Sequence, residues 1–227
     1  MKHDLKHLAI IMDGNARWAK LNNLSKAEGH KKGAEVAKSL INHIPKLGIE
    51  YLTLYTFSSE NWNRPISEVS ILIELLSHYV LNEVKLLNQN NLKLKVIGNL
   101  EKLSTDLQNK IQKAISDTSQ NSVATVCIAF SYGGREEIIN ACHKAMEAGT
   151  DKITEDNFKK FLYDPSMPDV DLLIRTGNNH RISNFLLWQM AYAELYFCDK
   201  YWPEFDASDL EKSIENYHSR QRNFGGR

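Results

Sequence analysis

Leu8-Ala9-Ile10-Ile11-Met12-Asp13-Gly14-Asn15-Ala16-Arg17-Trp18 is the stretch on which the reading of this chain turns. Five apolar residues run without interruption into an acid, a glycine and, shortly after, a base. An unbroken apolar run of this length, closed by a turn signal, is how a strand covered on both faces reads. Asp-Gly supplies the turn. Comparable runs follow at residues 51–57, 92–97, 124–130, 171–175 and 195–198. The run at 92–97 alternates apolar with basic residues, as a half-exposed strand does. Helical spacing of apolar residues falls between the runs, over 33–46, 67–89, 105–117, 136–147, 155–162, 181–193 and 208–217. Ser67, just after Pro65, is the expected N-cap of the second of these. Strand and helix in alternation predict an α/β fold, with a mainly parallel sheet of about six strands flanked by helices. Ligands of such sheets bind beyond the carboxyl ends of the strands, so the residues after each run carry the functional argument.

The chain has 227 residues, with 28 Lys plus Arg balancing 28 Asp plus Glu. Zero net charge argues against a broad nucleic-acid footprint, which needs clustered positive charge. A small anion held by a few focused arginines stays compatible with it. The length suits one core, and residues 1–227 are expected to form a single domain. Cys127, Cys142 and Cys198 are odd in number and not in Cys-x-x-Cys spacing, which argues against a disulfide framework or structural zinc. No apolar run approaches the ~18 residues of a membrane span, and the five-residue apolar run after the charged start is too short for a signal peptide. A cytoplasmic protein is expected, with peripheral membrane contact left open. The segment 67–89 is apolar almost all round, through Val69, Ile71, Leu72, Ile73, Leu75, Leu76, Tyr79, Val80, Leu81, Val84, Leu86 and Leu87. It must be covered on most sides, either by core or a second subunit, or by an apolar ligand in a tunnel along one face.

Chemistry-bearing residues cluster after the runs. Asp13 is an oxygen ligand suited to Mg²⁺. Gly14 lets backbone N–H groups approach an anion, and Arg17 offers a bidentate phosphate contact. An ordinary Asp-Gly turn is the plain alternative. The second run ends in Ser58-Ser59-Glu60-Asn61-Trp62-Asn63-Arg64, a loop of hydroxyls, an amide, an indole and a guanidinium. Arg175, Arg181 and Ser183 form a second candidate anion clamp, although Ser183 or Asn184 could simply cap the next helix. His180 by itself reads as structural. Glu194 lies in an apolar segment and needs a metal or an ion pair, an arginine being the plain partner. Walker A, Gly-x-Gly-x-x-Gly, His-Glu-x-x-His and Gly-x-Ser-x-Gly sequences are all missing.

Taken together, the segments HLAIIMDGNARWA (7–19), EGHKKGAE (28–35), LTLYTFSSENWNRP (52–65), YGGREEI (132–138), DLLIRTGNNHRISNFLLWQMAYAELYF (171–197) and the closing RNFGG (222–226) resemble the bacterial cis-prenyltransferases, specifically the undecaprenyl-diphosphate synthase (isoprenyl transferase) family. The resemblance spans almost the whole chain. It implies repeated condensation of isopentenyl diphosphate onto an allylic diphosphate, typically farnesyl diphosphate. Each addition sets a cis double bond, and the product is a long polyprenyl diphosphate that carries cell-wall precursors. It further implies the cis-prenyltransferase fold with an apolar tunnel, Mg²⁺ as cofactor, and a homodimer. Carried over by position, Asp13 becomes the essential metal-positioning acid and Glu194 a second metal ligand. Gly14, Asn15, Ala16, Arg17, Trp18 and His30 fall in the allylic diphosphate pocket. Lys26 stands there where the family usually has arginine. Asn61 takes the proton-relay position, with Ser58, Ser59, Glu60, Trp62 and Arg64 around it, and the Phe57–Trp62 loop would act as a cover. Arg175, Arg181, Ile182 and Ser183 fall in the isopentenyl diphosphate site. Asn178-Asn179 replaces the family's Gly-Glu beside it. Rival readings are a short- or medium-chain synthase of the same chemistry, a non-catalytic subunit, and an unrelated phosphate-binding enzyme.

Overall fold

A computed structural model describes residues 5–222, apart from the side chains of residues 79–81. Three of the apolar side chains counted in the 67–89 segment, and all of the RNFGG block except Arg222, therefore lie outside the described residues.

The strands are β1 (His7–Ile11), β2 (Tyr51–Ser58), β3 (Leu92–Ile97), β4 (Ala124–Tyr132), β5 (Leu172–Arg175) and β6 (Glu194–Phe197), joined in the order β3-β4-β2-β1-β5-β6. All five pairings are parallel. β1 is buried along its whole length, which is why its sequence is apolar without alternation. β3 is an edge strand and does alternate. From β1 the chain winds to β2 and on toward β3, then crosses back to place β5 on the other side of β1. The carboxyl ends of β1 and β5 thus flank a topological switch point, where loops leaving in opposite directions open a crevice.

The described residues form eight α-helices: α1 (Asn15–Leu21), α2 (Lys26–His43), α3 (Ile66–Asn82), α4 (Val84–Gln89), α5 (Thr105–Asp117), α6 (Gly134–Glu147), α7 (Glu155–Phe158) and α8 (Ala207–Ser219). Four features depart from the sequence expectation. α2 starts at Lys26 rather than at 33, because Ser25 and Glu28 form a reciprocal capping box. Ser67 is not an N-cap: α3 starts at Ile66, and the Pro65 carbonyl accepts the N–H groups of Glu68 and Val69 at 2.9 and 3.1 Å. The single helix expected over 67–89 is broken at Glu83. No helix forms over 181–193. Ser183, Asn184 and Leu186 have φ of 48°, 61° and 40°, and an α-helix cannot run through left-handed residues.

Alternate residues of the strands build separate cores on the two faces. Leu8, Ile10, Leu52, Leu54, Val126 and Phe130 belong to one. Ala9, Ile11, Tyr51, Tyr55, Cys127 and Tyr132 belong to the other. An irregularity in β2 between Tyr55 and Ser58 shifts the register, so that Leu54 and Phe57 face the same side.

Candidate active site

On the first face, α2 and α3 stand apart over the sheet and leave a cavity of about 830 Å³, within the range of small-molecule sites. α2 presents His30, Ala34, Ala37, Lys38 and Ile41 to it, one face at helical spacing. α3 presents Glu68, Leu72, Leu75 and Leu76, and α4 adds Leu86 and Leu87. Leu54, Leu94, Val126, Ile128 and Phe130 form the floor. The over-apolar segment is thus a wall: one face packs on core and the other lines this space, as the tunnel reading required.

One end of the cavity is polar and sits at the switch point. Arg175, at the end of β5, is only 4% exposed, and its Nη2 meets Asp13 Oδ2 at 2.9 Å. Its Nη1 donates to the Arg181 carbonyl and, at 2.7 Å, to Ser183 Oγ. The left-handed turn at Ser183 is what aims those two acceptors back at Arg175. Asp13 also accepts from Asn179 Nδ2 at 2.8 Å and pairs through Oδ1 with Arg17 at 3.1 Å. Burial works to raise the Asp13 pKa, but the Arg175 bond and charge, with Arg17 and Asn179, hold it below the usual carboxylate value. Asp13 is therefore ionised with its Oδ1 edge toward the half-exposed Arg17. Asn179 links the cluster onward, accepting from Arg181 Nη1 at 3.0 Å. The Asn178-Asn179 departure thus supplies an amide bridge between Asp13 and Arg181.

Two glycines are dictated by close approach. A Cβ on Gly14 (φ 111°) would lie 2.6 Å from the Tyr201 ring, and one on Gly177 (φ 82°) would lie 2.7 Å from the Arg17 guanidinium and 2.9 Å from the Asp13 carbonyl oxygen. Tyr201 also carries Arg17 over its ring at 5.2 Å.

A second charged group closes the polar end. Glu68, buried, accepts from Lys26 Nζ and Arg64 Nη1, each at 2.8 Å. Burial pushes its pKa up, but those two cations outweigh it and hold the carboxyl below its usual value. His30 lies beside this group, and burial lowers its pKa more than Glu68 raises it. Of the five buried side-chain polar atoms without a partner among the described residues, three belong to this site: Asn15 Oδ1, His30 Nε2 and Arg175 Nε. Native proteins rarely leave such atoms unsatisfied away from a ligand site.

The candidate residues separate clearly. Asp13, Gly14, Asn15, Ala16, Arg17, His30, Ser58, Glu60, Asn61, Arg64, Arg175, Arg181 and Ser183 all line the cavity. Trp18, Lys26, Ser59, Trp62, Ile182 and Glu194 are not among its lining residues. Trp62 is not a cover: its Nε1 donates to Ser131 Oγ at 2.8 Å and its ring stands edge-on to Phe57. Ile182 packs on the opposite face of the sheet. Lys26 reaches the site only through Glu68. Asn61 Oδ1 accepts the Ser58 N–H at 3.0 Å, so its carboxamide shapes the loop as well as facing the cavity. Glu194 begins β6, opposite Leu172, whereas Arg175 ends β5. That separates Glu194 from the Asp13 end by ~10 Å at the rise of a strand, and its partner is Arg220 at 2.8 Å. The described residues contain no group of three or more His, Cys, Asp or Glu placed to hold a metal among themselves. Glu68 and Tyr201 are site residues that the sequence did not single out, Glu68 alone carrying a signal in its i,i+4 spacing from Arg64, whereas Asn179 stood out only as a departure beside the second clamp.

An ionised acid among arginines, opening onto a long apolar cavity, fits an amphiphile with an anionic head and a hydrocarbon tail. That combination defines a site for an anionic lipid-like substrate. Comparison with known proteins makes it particular. Residues 11–225 match the family model described as "Putative undecaprenyl diphosphate synthase". The chain is 55% identical to the isoprenyl transferase of Rickettsia typhi, over 98% of this chain and 99% of that protein. It is 46% identical to that of Fusobacterium nucleatum, over 97% and 96%. Among solved structures, lavandulyl diphosphate synthase from Lavandula x intermedia, in complex with dimethylallyl diphosphate, matches with a TM-score of 0.92 at 35% identity, covering 97% of this chain and 98% of that one. The probable undecaprenyl diphosphate synthase of Campylobacter jejuni matches with a TM-score of 0.85 at 34% identity, covering 98% and 99%. The chain belongs to the undecaprenyl diphosphate synthase family, and it is an enzyme of cis-prenyl chain elongation.

Proposed function

We propose that this enzyme extends farnesyl diphosphate with successive isopentenyl diphosphate units to a long-chain product such as undecaprenyl diphosphate. The observation that carries the reading is the continuity of the charged switch-point cluster with the apolar cavity between α2 and α3. The allylic diphosphate head sits by Gly14, Asn15, Arg17 and His30, and its chain runs between the helices. Arg175, Arg181 and Ser183 take the isopentenyl diphosphate. Arginines and N–H donors fixed before reaction stabilise the charge that grows on the departing diphosphate. Holding two diphosphates in register adds an orientational advantage. Asn61 is a weak base, so the proton lost after coupling passes to a diphosphate oxygen or water that Asn61 orients.

Asp13 fits Mg²⁺: it is an ionised oxygen donor facing a diphosphate site, and Mg²⁺ commonly takes one or two carboxylates with substrate phosphates completing its shell. Bound there, the cation supplies positive charge to the leaving group. Glu194 lies apart from Asp13 within one chain and is not needed for that fit.

A homodimer accords with β6, an edge strand whose Leu195 is 38% exposed and whose neighbour Tyr192 is 67% exposed. No helix among the described residues is long and apolar enough to cross a membrane.

The test is incubation with farnesyl diphosphate, labelled isopentenyl diphosphate and Mg²⁺, followed by sizing of the products. Long chains that vanish on adding chelator are expected. Products of only one or two additions would favour a short-chain synthase. No incorporation by folded protein would overturn both.

A further inference from the structure

Asn184 joins three parts of the molecule that are far apart in sequence. Its backbone carbonyl accepts the Gly134 N–H at 2.7 Å, and its side-chain Oδ1 accepts the Arg135 N–H at 2.9 Å. Those are the first two N–H groups of α6, whose N-cap, Gly133, has no side chain to receive them. Asn184 thus caps α6 from 49 positions away. With Oδ1 committed to a backbone N–H, the amide nitrogen must point the other way. Nδ2 donates to Glu60 Oε1 at 2.8 Å, in the loop after β2. Burial acts to raise the Glu60 pKa, but hydrogen bonds, the one from Asn184 foremost, hold it below the usual carboxylate value. The acceptor is therefore an anion, which strengthens the bond. Gly133 leaves room for this meeting, since a Cβ there would lie 2.5 Å from Ser59 Oγ and 2.9 Å from Asn184 Nδ2.

Its neighbour Ser183 is fixed as firmly. Ser183 Oγ accepts from Arg175, and its carbonyl accepts the Tyr55 hydroxyl at 3.3 Å. Both residues are left-handed, with φ of 48° and 61°, and so Ser183 turns to Arg175 while Asn184 turns to Glu60. Glu60, Asn61, Ser183 and Asn184 all line the cavity. The residue next to the second clamp thus holds the residue next to Asn61.

We propose that Asn184 is a positioning residue of the elongation reaction: it sets the Ser58–Asn61 loop in register with the Arg175, Arg181 and Ser183 clamp, so that Asn61 faces the isopentenyl diphosphate held there. This deepens the reading given under Proposed function and rests on it. α6 is the frame of the linkage, because its first N–H groups fix the carboxamide in the one orientation that leaves its donor for Glu60. The allylic head group by Gly14, Arg17 and His30 takes no part in it.

The experiment compares wild type, Asn184→Asp, Glu60→Gln and the double variant, by steady-state kinetics in each diphosphate at mildly alkaline pH and by thermal melts. Aspartate tolerates the left-handed conformation and keeps an acceptor for the Arg135 N–H, so the cap survives. Its second oxygen then opposes Glu60, and the link to the loop is lost. The double variant restores that link in reverse, with glutamine donating to aspartate. The expected kcat of Asn184→Asp is about 10–10²-fold lower, the scale of a misplacement of about 1 Å, with the melting temperature and the KM for farnesyl diphosphate little changed. The double variant should exceed the product of the two single effects by about tenfold, as residues in direct contact couple. An Asn184→Asp enzyme with wild-type kcat overturns the proposal. So does a loss that raises both KM values alike and lowers the melting temperature, or a double variant no better than the product of the singles. The double variant keeps the test decisive should like charges destabilise Asn184→Asp, because Glu60→Gln removes that repulsion. A wild type that incorporates no label overturns the parent reading and this one with it, an outcome distinct from failure in the variants alone.

Discussion

The two faces of one sheet have been put to opposite uses. On the α2–α3 face, strand residues Leu54, Val126, Ile128 and Phe130 look into open space. On the other face the described residues are closely paired. Tyr55 stacks on Phe185 at 4.2 Å between ring centroids. Glu137 accepts from Tyr132 Oη at 2.5 Å, Gln189 Nε2 at 3.1 Å and the Tyr163 N–H at 3.1 Å. Asp164 takes the Tyr51 hydroxyl and the Lys95 ammonium. His7 bridges the Pro168 carbonyl and the Thr53 hydroxyl. A cavity forfeits packing and dispersion contacts, so the closed face must supply the specificity and stability that the open face gives up. The lesson is a division of labour: substitutions on the open face should change chemistry or product, and substitutions on the closed face should change stability.

The sharpest break in that division is Asp13→Asn. It keeps the shape but removes the charge, and turnover should fall about 10²–10³-fold, with stability also lost because the buried Arg175 is left without a countercharge. Asp13→Ala should lose further stability, because the acceptor for Arg175 and Asn179 goes as well. Steady-state rates and thermal melts of the two variants separate these effects. On the closed face, Glu137→Ala strands three donors and should cost ~3 kcal/mol or more in denaturant titration, with specific activity of the folded enzyme nearly unchanged.

His7 gives a smaller, pH-dependent effect. Burial lowers its pKa to about 4. The unfolded chain, with a histidine near 6.5, takes up the proton first, so stability falls as pH drops from ~6.5 toward ~4, by up to ~3 kcal/mol for this group. His7→Asn should be less stable at neutral pH and lose less on acidification. Urea midpoints at several pH values check it. Val126→Phe on the cavity floor should shorten products at a cost of ~1–3 kcal/mol, because Val126 is also packed in the core.

Much of this was legible in the sequence, and the exceptions have physical reasons. The strands announced themselves because burial on both faces demands unbroken apolar runs. Asp13 and Arg175 were legible because strand ends are where a parallel sheet binds ligands. Residues 181–193 misled because apolar residues at helical spacing also suit a turn-rich segment packed on a sheet, and the left-handed residues that aim it at Arg175 leave no periodic mark. Trp62 looked like a cover because sequence cannot say which way an indole points. Glu68 could have been read from its spacing to Arg64. The Lys38–Glu83 ion pair could not, its members being 45 positions apart in the sequence.

The most direct test of the open face is a crystal structure with a non-reactive farnesyl diphosphate analogue. The diphosphate is expected within hydrogen-bonding reach of Arg17 and His30, with the hydrocarbon in the cavity between α2 and α3. A head group bound elsewhere, or a chain lying outside the cavity, would contradict it.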